Sequence, residues 1–254
     1  MTARVELLAP DGIPEIHPGD DLGAMIANAL SDAAIGLQQD DVLVVTQKVV
    51  SKAEGRLVDL ASVDPSPAAR EFAERWGKDP RQVELVLRES AEVVRMAEGG
   101  LIISRTPHGF VCANAGVDLS NVGDGDVATL LPLDPDASAR RLVQRLGELT
   151  GARPAVVISD SFGRPWRNGI VNVAIGVAGL APLLDLRGTP DAQGREMRST
   201  VIAVADELAS AAELAGGKTD QRPVVVVRGY TTERVTDGPG GAALVMDRAQ
   251  DLFP

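Results

Sequence analysis

The chain is poor in the side chains from which nucleophiles and soft metal sites are most often built. One cysteine, Cys112, and two histidines, His17 and His108, occur in 254 residues. A single thiol excludes an intramolecular disulfide and a thiolate zinc cluster, and it fits a reducing cytoplasm. Two distant histidines exclude a His-rich metal centre and leave acid–base chemistry to carboxylates, lysines or a bound metal. Basic residues are in deficit too: 25 Lys and Arg against 36 Asp and Glu give a formal charge of -11. A nucleic-acid backbone therefore finds no cluster of cations. No apolar run approaches the length of a membrane span, and Met1 to Pro10 lacks the marks of an export signal. Two nucleotide fingerprints are missing: there is no Gly-x-x-x-x-Gly-Lys-Ser/Thr loop and no strand leading into Gly-x-Gly-x-x-Gly. A repeat period of about twenty to fifty residues is absent as well.

What is present supports a sizeable core. Hydrophobic residues make up 44% of the chain, enough to fold without covalent staples. Apolar, β-branched runs at Asp41 to Val45, Gly100 to Ser104, Ala155 to Ser159 and Pro223 to Arg228 read as buried strands. Helical spacing of apolar residues predicts helices over Leu22 to Leu30, Ser66 to Trp76, Asp79 to Met96, Ser138 to Thr150 and Thr200 to Leu214. Ser66 and Asp79 stand as caps, with Pro67 and Pro80 in the first turns. The stretch from Arg105 to Leu133 is rich in Gly, Asn and Asp and breaks any regular alternation, so the expected class is an irregular α+β fold. One domain is expected over residues 1–235, with room for two subdomains, followed by a Gly- and Pro-containing tail or linker over residues 236–254.

Four segments carry groups suited to chemistry. Ile158 to Gly169 runs an apolar strand into Asp160 and Ser161, adjacent hard oxygens of the kind Mg2+ or Mn2+ prefers, with Arg164 and Arg167 beyond. The same residues also read as an Asp-Ser turn with two surface arginines. Asn114 to Asn121 places Asp118 and Asn121 among small residues; Asp118 is a candidate partner for Asp160, and a plain Asx turn is the alternative. Thr46 to Gly55 holds Lys48 and Lys52 four apart, either a phosphate-neutralising pair or a solvated helix face. Leu214 to Asp220 brings Gly216, Gly217 and Lys218, read either as a phosphate loop or as a helix stop. Cys112 reads as a core residue.

Taken in order, Gly12 to Ile16, Gly19 to Leu22, Val49 to Gly55, Asn114 to Asn121, Leu133 to Asp136, Asp160 to Arg167, Val173 to Gly176, Asp185 to Gly188, Gly194-Arg195 and Val204 to Leu208 closely resemble the coenzyme F420:L-glutamate ligase family. That resemblance implies a cytoplasmic, GTP-dependent, GDP-forming ligase that adds γ-linked L-glutamate to coenzyme F420-0 through an acyl phosphate. It also implies a mixed α/β fold without Rossmann or P-loop motifs, an intertwined homodimer, and in actinobacteria a frequent C-terminal partner domain similar to a flavin-dependent nitroreductase. Carried over by position, Asp118, Asp160 and Ser161 would be catalytic and hold two divalent ions, Mg2+ or Mn2+. Asn121 would touch the nucleotide. Ile13, Pro14, Glu15, Ile16, Gln47, Lys48 and Lys52 would line the GTP site, and the loop from Ala215 to Arg222, with Gly216, Gly217 and Lys218, would close it around the phosphates. The chain departs from the pattern at Gly216, where relatives often carry methionine, and Gln47 and Lys48 occupy variable positions. The competing readings are an amide ligase for a different acid, a non-catalytic nucleotide-binding partner of a fused reductase, and a metal phosphohydrolase.

Overall fold

The computed structural model describes residues 3–119, 126–231, 233–236 and 238–251. The chain opens with strand β1 (Glu6–Leu8), helix α1 (Leu22–Asp32), strand β2 (Val42–Thr46) and helix α2 (Gln47–Ala53). A second region follows, with β3 (Leu57–Asp59), α3 (Pro67–Trp76), α4 (Pro80–Arg88), β4 (Glu92–Ala97), β5 (Leu101–Arg105), β6 (Val111–Ala113) and β7 (Val127–Thr129). The chain then returns through α5 (Pro135–Thr150) and a long hairpin of β8 (Ala155–Arg164) and β9 (Arg167–Ala178). It ends its regular structure with β10 (Leu184–Asp185), β11 (Val201–Ile202), α6 (Val204–Gly216) and β12 (Val224–Arg228). The class is mixed α+β, as the sequence leads one to expect.

The central sheet has the order β1-β12-β2-β8-β9, with β2 and β8 parallel and the other neighbours antiparallel. Its middle strands are continuously apolar because both faces are covered. On one face Leu43, Val45, Val156 and Ile158 pack with Ile26 and Leu30 of α1 and Leu142 and Leu146 of α5. On the other, Val42, Val44, Ala155 and Val157 meet Leu208, Ala209 and Ala212 of α6. A separate core, with Leu60, Phe72, Val83, Ile102, Ala128 and Leu130, lies around α3 and α4. These helices start as their caps dictate: the Ser66 hydroxyl accepts from the N–H of Ala69, and the Asp79 carboxylate from that of Arg81.

Two expected helices are shortened. The segment from Asp79 to Met96 is helical only to Arg88; Glu92–Ala97 is β4, paired antiparallel with β5. Ser90 turns its hydroxyl back onto the carbonyl of Val86 at the helix end, and the β-branched Val93 and Val94 prefer the strand beyond it. Likewise Val201–Ile202 pairs with β10, and the helix begins only at Val204.

Part of the Gly- and Pro-containing stretch near the end, around Gly240 and Gly241, lies against the body. Gly240 and Gly241 are buried, and the Asp136 carboxylate of α5 accepts from the N–H groups of both Val177 in β9 and Gly241. Leu244 packs at the edge of the core that α6 covers. Among the described residues no helix is long and apolar enough to cross a membrane. Apolar side chains are exposed on a separate three-stranded sheet of order β4-β5-β6: Val93, Val94 and Met96 of β4, Leu101 of β5 and Val111 of β6.

Candidate functional site

Asp160 and Ser161 lie within β8, not at its end, because the strand continues as a hairpin to Arg164 and turns through Pro165 and Trp166. A register shift between Ile158 and Ser159 marks where the sheet core gives way to the hairpin arm. Both stand just beyond the last pairing of β8 with β2, which ends at Ser159, where β8 is paired with β9 alone. The Asp160 carboxylate also accepts from the N–H of Ser161 at 2.8 Å. Burial pushes the Asp160 carboxyl up to about 6; Asp118 adds to the rise, while Lys218 and Lys48 oppose it. The two carboxylates therefore sit within electrostatic reach of one another, each with a lysine nearby.

Asp118 is placed by a single antiparallel pairing with Thr129 of β7, each N–H bonding the other's carbonyl. The chain reaches it through Asn114, Ala115 and Gly116, all with positive φ, a tight reversal that only Gly adopts without strain. Its carboxylate pairs with Lys48 Nζ at 2.7 Å. The helix α2 provides that lysine and Lys52 on one face, one turn apart. Lys52, buried, pairs with Glu15 on the neighbouring exposed loop. On that loop Ile16 is buried in the core, Ile13 is half-buried against it, and Pro14 is exposed. Gln47 is buried and accepts from the Ser51 hydroxyl within α2.

The third lysine comes from the loop after α6. Gly216 is the last residue of that helix, buried, and the N–H of Gly217 donates to the Glu213 carbonyl, so the glycine pair closes the helix. Lys218 then reaches across to Ser161, its Nζ donating to Oγ at 2.9 Å. The structure thus brings together Asp118, Asp160, Ser161, Lys48 and Lys218, with Glu15 and Lys52 adjoining through α2. Asn121 lies outside the described residues.

Groups that sequence reasoning missed stand behind Ser161. Its hydroxyl donates to Asn172 Oδ1 at 2.7 Å; Asn172, on β9, donates to Glu213 Oε2 at 2.7 Å and takes the Ser210 hydroxyl on its carbonyl. The only signal for Asn172 is its register opposite Ser161 in the hairpin, which a sequence does not print. Buried hydroxyls of Thr129, paired with Asp118, and of Ser159, next to Asp160 in the chain, have no hydrogen-bond partner among the described residues. Cys112 is buried, and burial together with the Asp160 charge pushes its thiol up to about 12. His108 turns its Nε2 to the carbonyls of Pro132 and Leu133, so it does not activate that thiol.

Among the described residues no group of three or more His, Cys, Asp or Glu side chains stands together as ready metal ligands. The donor set is two carboxylates and a hydroxyl, all hard oxygens, balanced by lysines. A cavity of about 250 Å³ lies elsewhere, at the far end of β9 beside Arg140, Gly179 and Leu180. It holds none of these groups, and we place the site by its chemistry.

The family profile described as F420-0:Gamma-glutamyl ligase matches residues 12–229. A coenzyme F420:L-glutamate ligase of Methanothermobacter thermautotrophicus is 46% identical over 250 residues, covering 98% of each chain. That of Methanopyrus kandleri is 47% identical over 242 residues, covering 94% of this chain and 93% of its own. That of Methanocaldococcus jannaschii is 42% identical over 219 residues, covering 85% and 86%. On the breadth of these matches and their span of the whole site, the chain belongs to the F420-0:gamma-glutamyl ligase family.

Proposed function

We propose that the chain joins L-glutamate to coenzyme F420-0 by an amide bond, activating the coenzyme's carboxylate as an acyl phosphate at the expense of GTP. The observation that carries this reading is the convergence of Asp118, Asp160 and Ser161 with Lys48 and Lys218. Such a set suits a reaction whose difficulty is mutual repulsion of anions, and it contains no side-chain nucleophile. An all-oxygen donor set fits Mg2+ or Mn2+ held by Asp118, Asp160 and Ser161. When bound, the ion would supply positive charge that offsets this repulsion.

The protein's own groups do the rest. Lys48 and Lys218 neutralise charge on the transferring phosphoryl group, and Lys52 sits one turn along α2 from Lys48 for a further phosphate contact. A carboxylate oxygen of the coenzyme attacks the terminal phosphorus of GTP, and the bond to GDP breaks. The glutamate amine then adds to the acyl carbon, loses a proton, and phosphate departs. A homodimer is part of the reading, supported by the apolar side chains exposed on β4, β5 and β6; light scattering of the purified chain measures it.

The test is to incubate the chain with GTP, Mn2+, L-glutamate and F420-0, and to follow GDP and the product mass. The expected result is GDP formation that requires both acid and amino acid, with mass increments of one glutamyl residue. GTP binding without turnover would favour a non-catalytic nucleotide-binding role, and phosphate release without glutamate a phosphohydrolase. Glutamylation of some other acid would move the substrate assignment.

A further inference from the structure

Behind Ser161 runs a hydrogen-bond chain whose direction is fixed by chemistry. Glu213 as a carboxylate only accepts, so the Asn172 group facing it at 2.7 Å is the amide NH2, and Oδ1 faces Ser161. Oδ1 only accepts, so the Ser161 hydroxyl must donate to it. Lys218 as an ammonium only donates, so the contact at 2.9 Å uses a lone pair of Ser161 Oγ. One lone pair remains. Asn172 is 6% exposed, and its carbonyl takes the Ser210 hydroxyl of α6 at 2.7 Å, so the amide is held at both its main chain and its side chain.

We propose that Asn172, clamped by Glu213, is a positioning residue: it locks the Ser161 hydroxyl as a donor into the protein and so keeps a lone pair of Oγ available to a divalent cation. A serine hydroxyl otherwise rotates among several positions and must be ordered when a cation takes its lone pair. This inference rests on the reading of Ser161 as a cation ligand. Groups that orient a ligand from behind typically contribute about ten- to hundredfold in affinity.

The test uses the full chain without nucleotide, with Mn2+ alone as the probe. Free Mn2+ is followed by electron paramagnetic resonance, and thermal melts report folding. Asn172→Leu, which keeps the shape and removes both hydrogen bonds, should weaken Mn2+ about tenfold. On a Ser161→Ala background it should add nothing, whereas a general loosening of the fold would weaken Mn2+ there as well. The pair Asn172→Asp with Glu213→Gln keeps the summed charge and the donor order, because the Gln NH2 now donates to Asp and Asp still accepts from Ser161; it should bind within about threefold of the parent. If Asn172→Leu does not fold, this pair carries the test, and a tenfold loss in it overturns the proposal. Equal weakening by Asn172→Leu with and without Ser161 also overturns it. If Ser161→Ala binds Mn2+ as the parent does, the cation reading itself falls and takes this inference with it, an outcome distinct from a loss in Ser161→Ala with none in Asn172→Leu.

Discussion

Replacing Asp160 by Asn should make the metal-free protein more stable at neutral pH while damaging its activity. The Asp160 carboxyl, ordinarily near 3.8, is pushed up to about 6, first by burial and then by Asp118, against the pull of Lys218 and Lys48. A folded value above the unfolded one means that the native state holds the proton more tightly. Stability therefore falls as pH rises from 3.8 through about 6 and stays reduced above that window. The interval from 3.8 to about 6 corresponds to ~3 kcal/mol as an upper bound. Asp160 is only partly buried by its surface exposure, and solvent screens part of this, so we expect ~1–2 kcal/mol. An Asn keeps the acceptor for the Ser161 N–H and carries no charge to desolvate. The assay is urea or thermal unfolding of parent and variant with a chelator present. At pH 7.5 the variant should melt about 2–4 °C higher, and by pH 4 the two should converge. An advantage of equal size at both pH values, or none at pH 7.5, refutes the assignment of a strained carboxylate at this position.

Two further outcomes follow from other parts of the fold. The Glu84 carboxyl is held down at about 2 by its hydrogen bonds to the Ser66 hydroxyl and N–H and by Arg88, tying the start of α3 to α4. Its contribution is present above the unfolded value of 4.5 and is lost as pH falls toward 2; Glu84→Gln should cost ~1–2 kcal/mol at pH 7 in denaturant titrations, and the gap should narrow steadily below pH 4.5. Gly176 of β9 lies directly under the first turn of α5, where an added Cβ would strike the Pro135 carbonyl. Gly176→Ala should lower stability by ~1–3 kcal/mol, read as an earlier unfolding midpoint, and an unchanged midpoint would mean that α5 is free to move off the sheet.

Much of the scaffold was legible in the sequence, because burial on both faces leaves a plain mark. Four consecutive apolar residues at Val42 to Val45 and again at Val224 to Val227 admit few readings other than a covered strand. The proline-led helices announce themselves through Ser66, Asp79 and their following prolines. The segment from Asp79 to Met96 misled because a strand with one exposed face and a helix share an apolar count over a short span; pairing with β5, a long-range event, decides. Site residues on one element were readable by spacing, as with Lys48 and Lys52 on α2. Contacts between elements were not. That Lys218 reaches Ser161, or that Asn172 and Glu213 stand behind it, depends on how α6 packs on the hairpin.

The ion pairs at the site have a consequence for how ligands enter. Glu15, Asp118 and Asp160 stand among Lys52, Lys48 and Lys218, three carboxylates with three ammonium groups. A chain of charge -11 repels polyphosphate at a distance, and a locally neutral site offers it no lure. A phosphate that takes Lys48 from Asp118 strips that carboxylate of its counter-ion, and a cation arriving at Asp118 releases the lysine. Each guest thus prepares the place of the other. On the proposed function, nucleotide and metal are expected to bind as a coupled pair and weakly when alone, with the coupling equal in both directions by thermodynamic reciprocity.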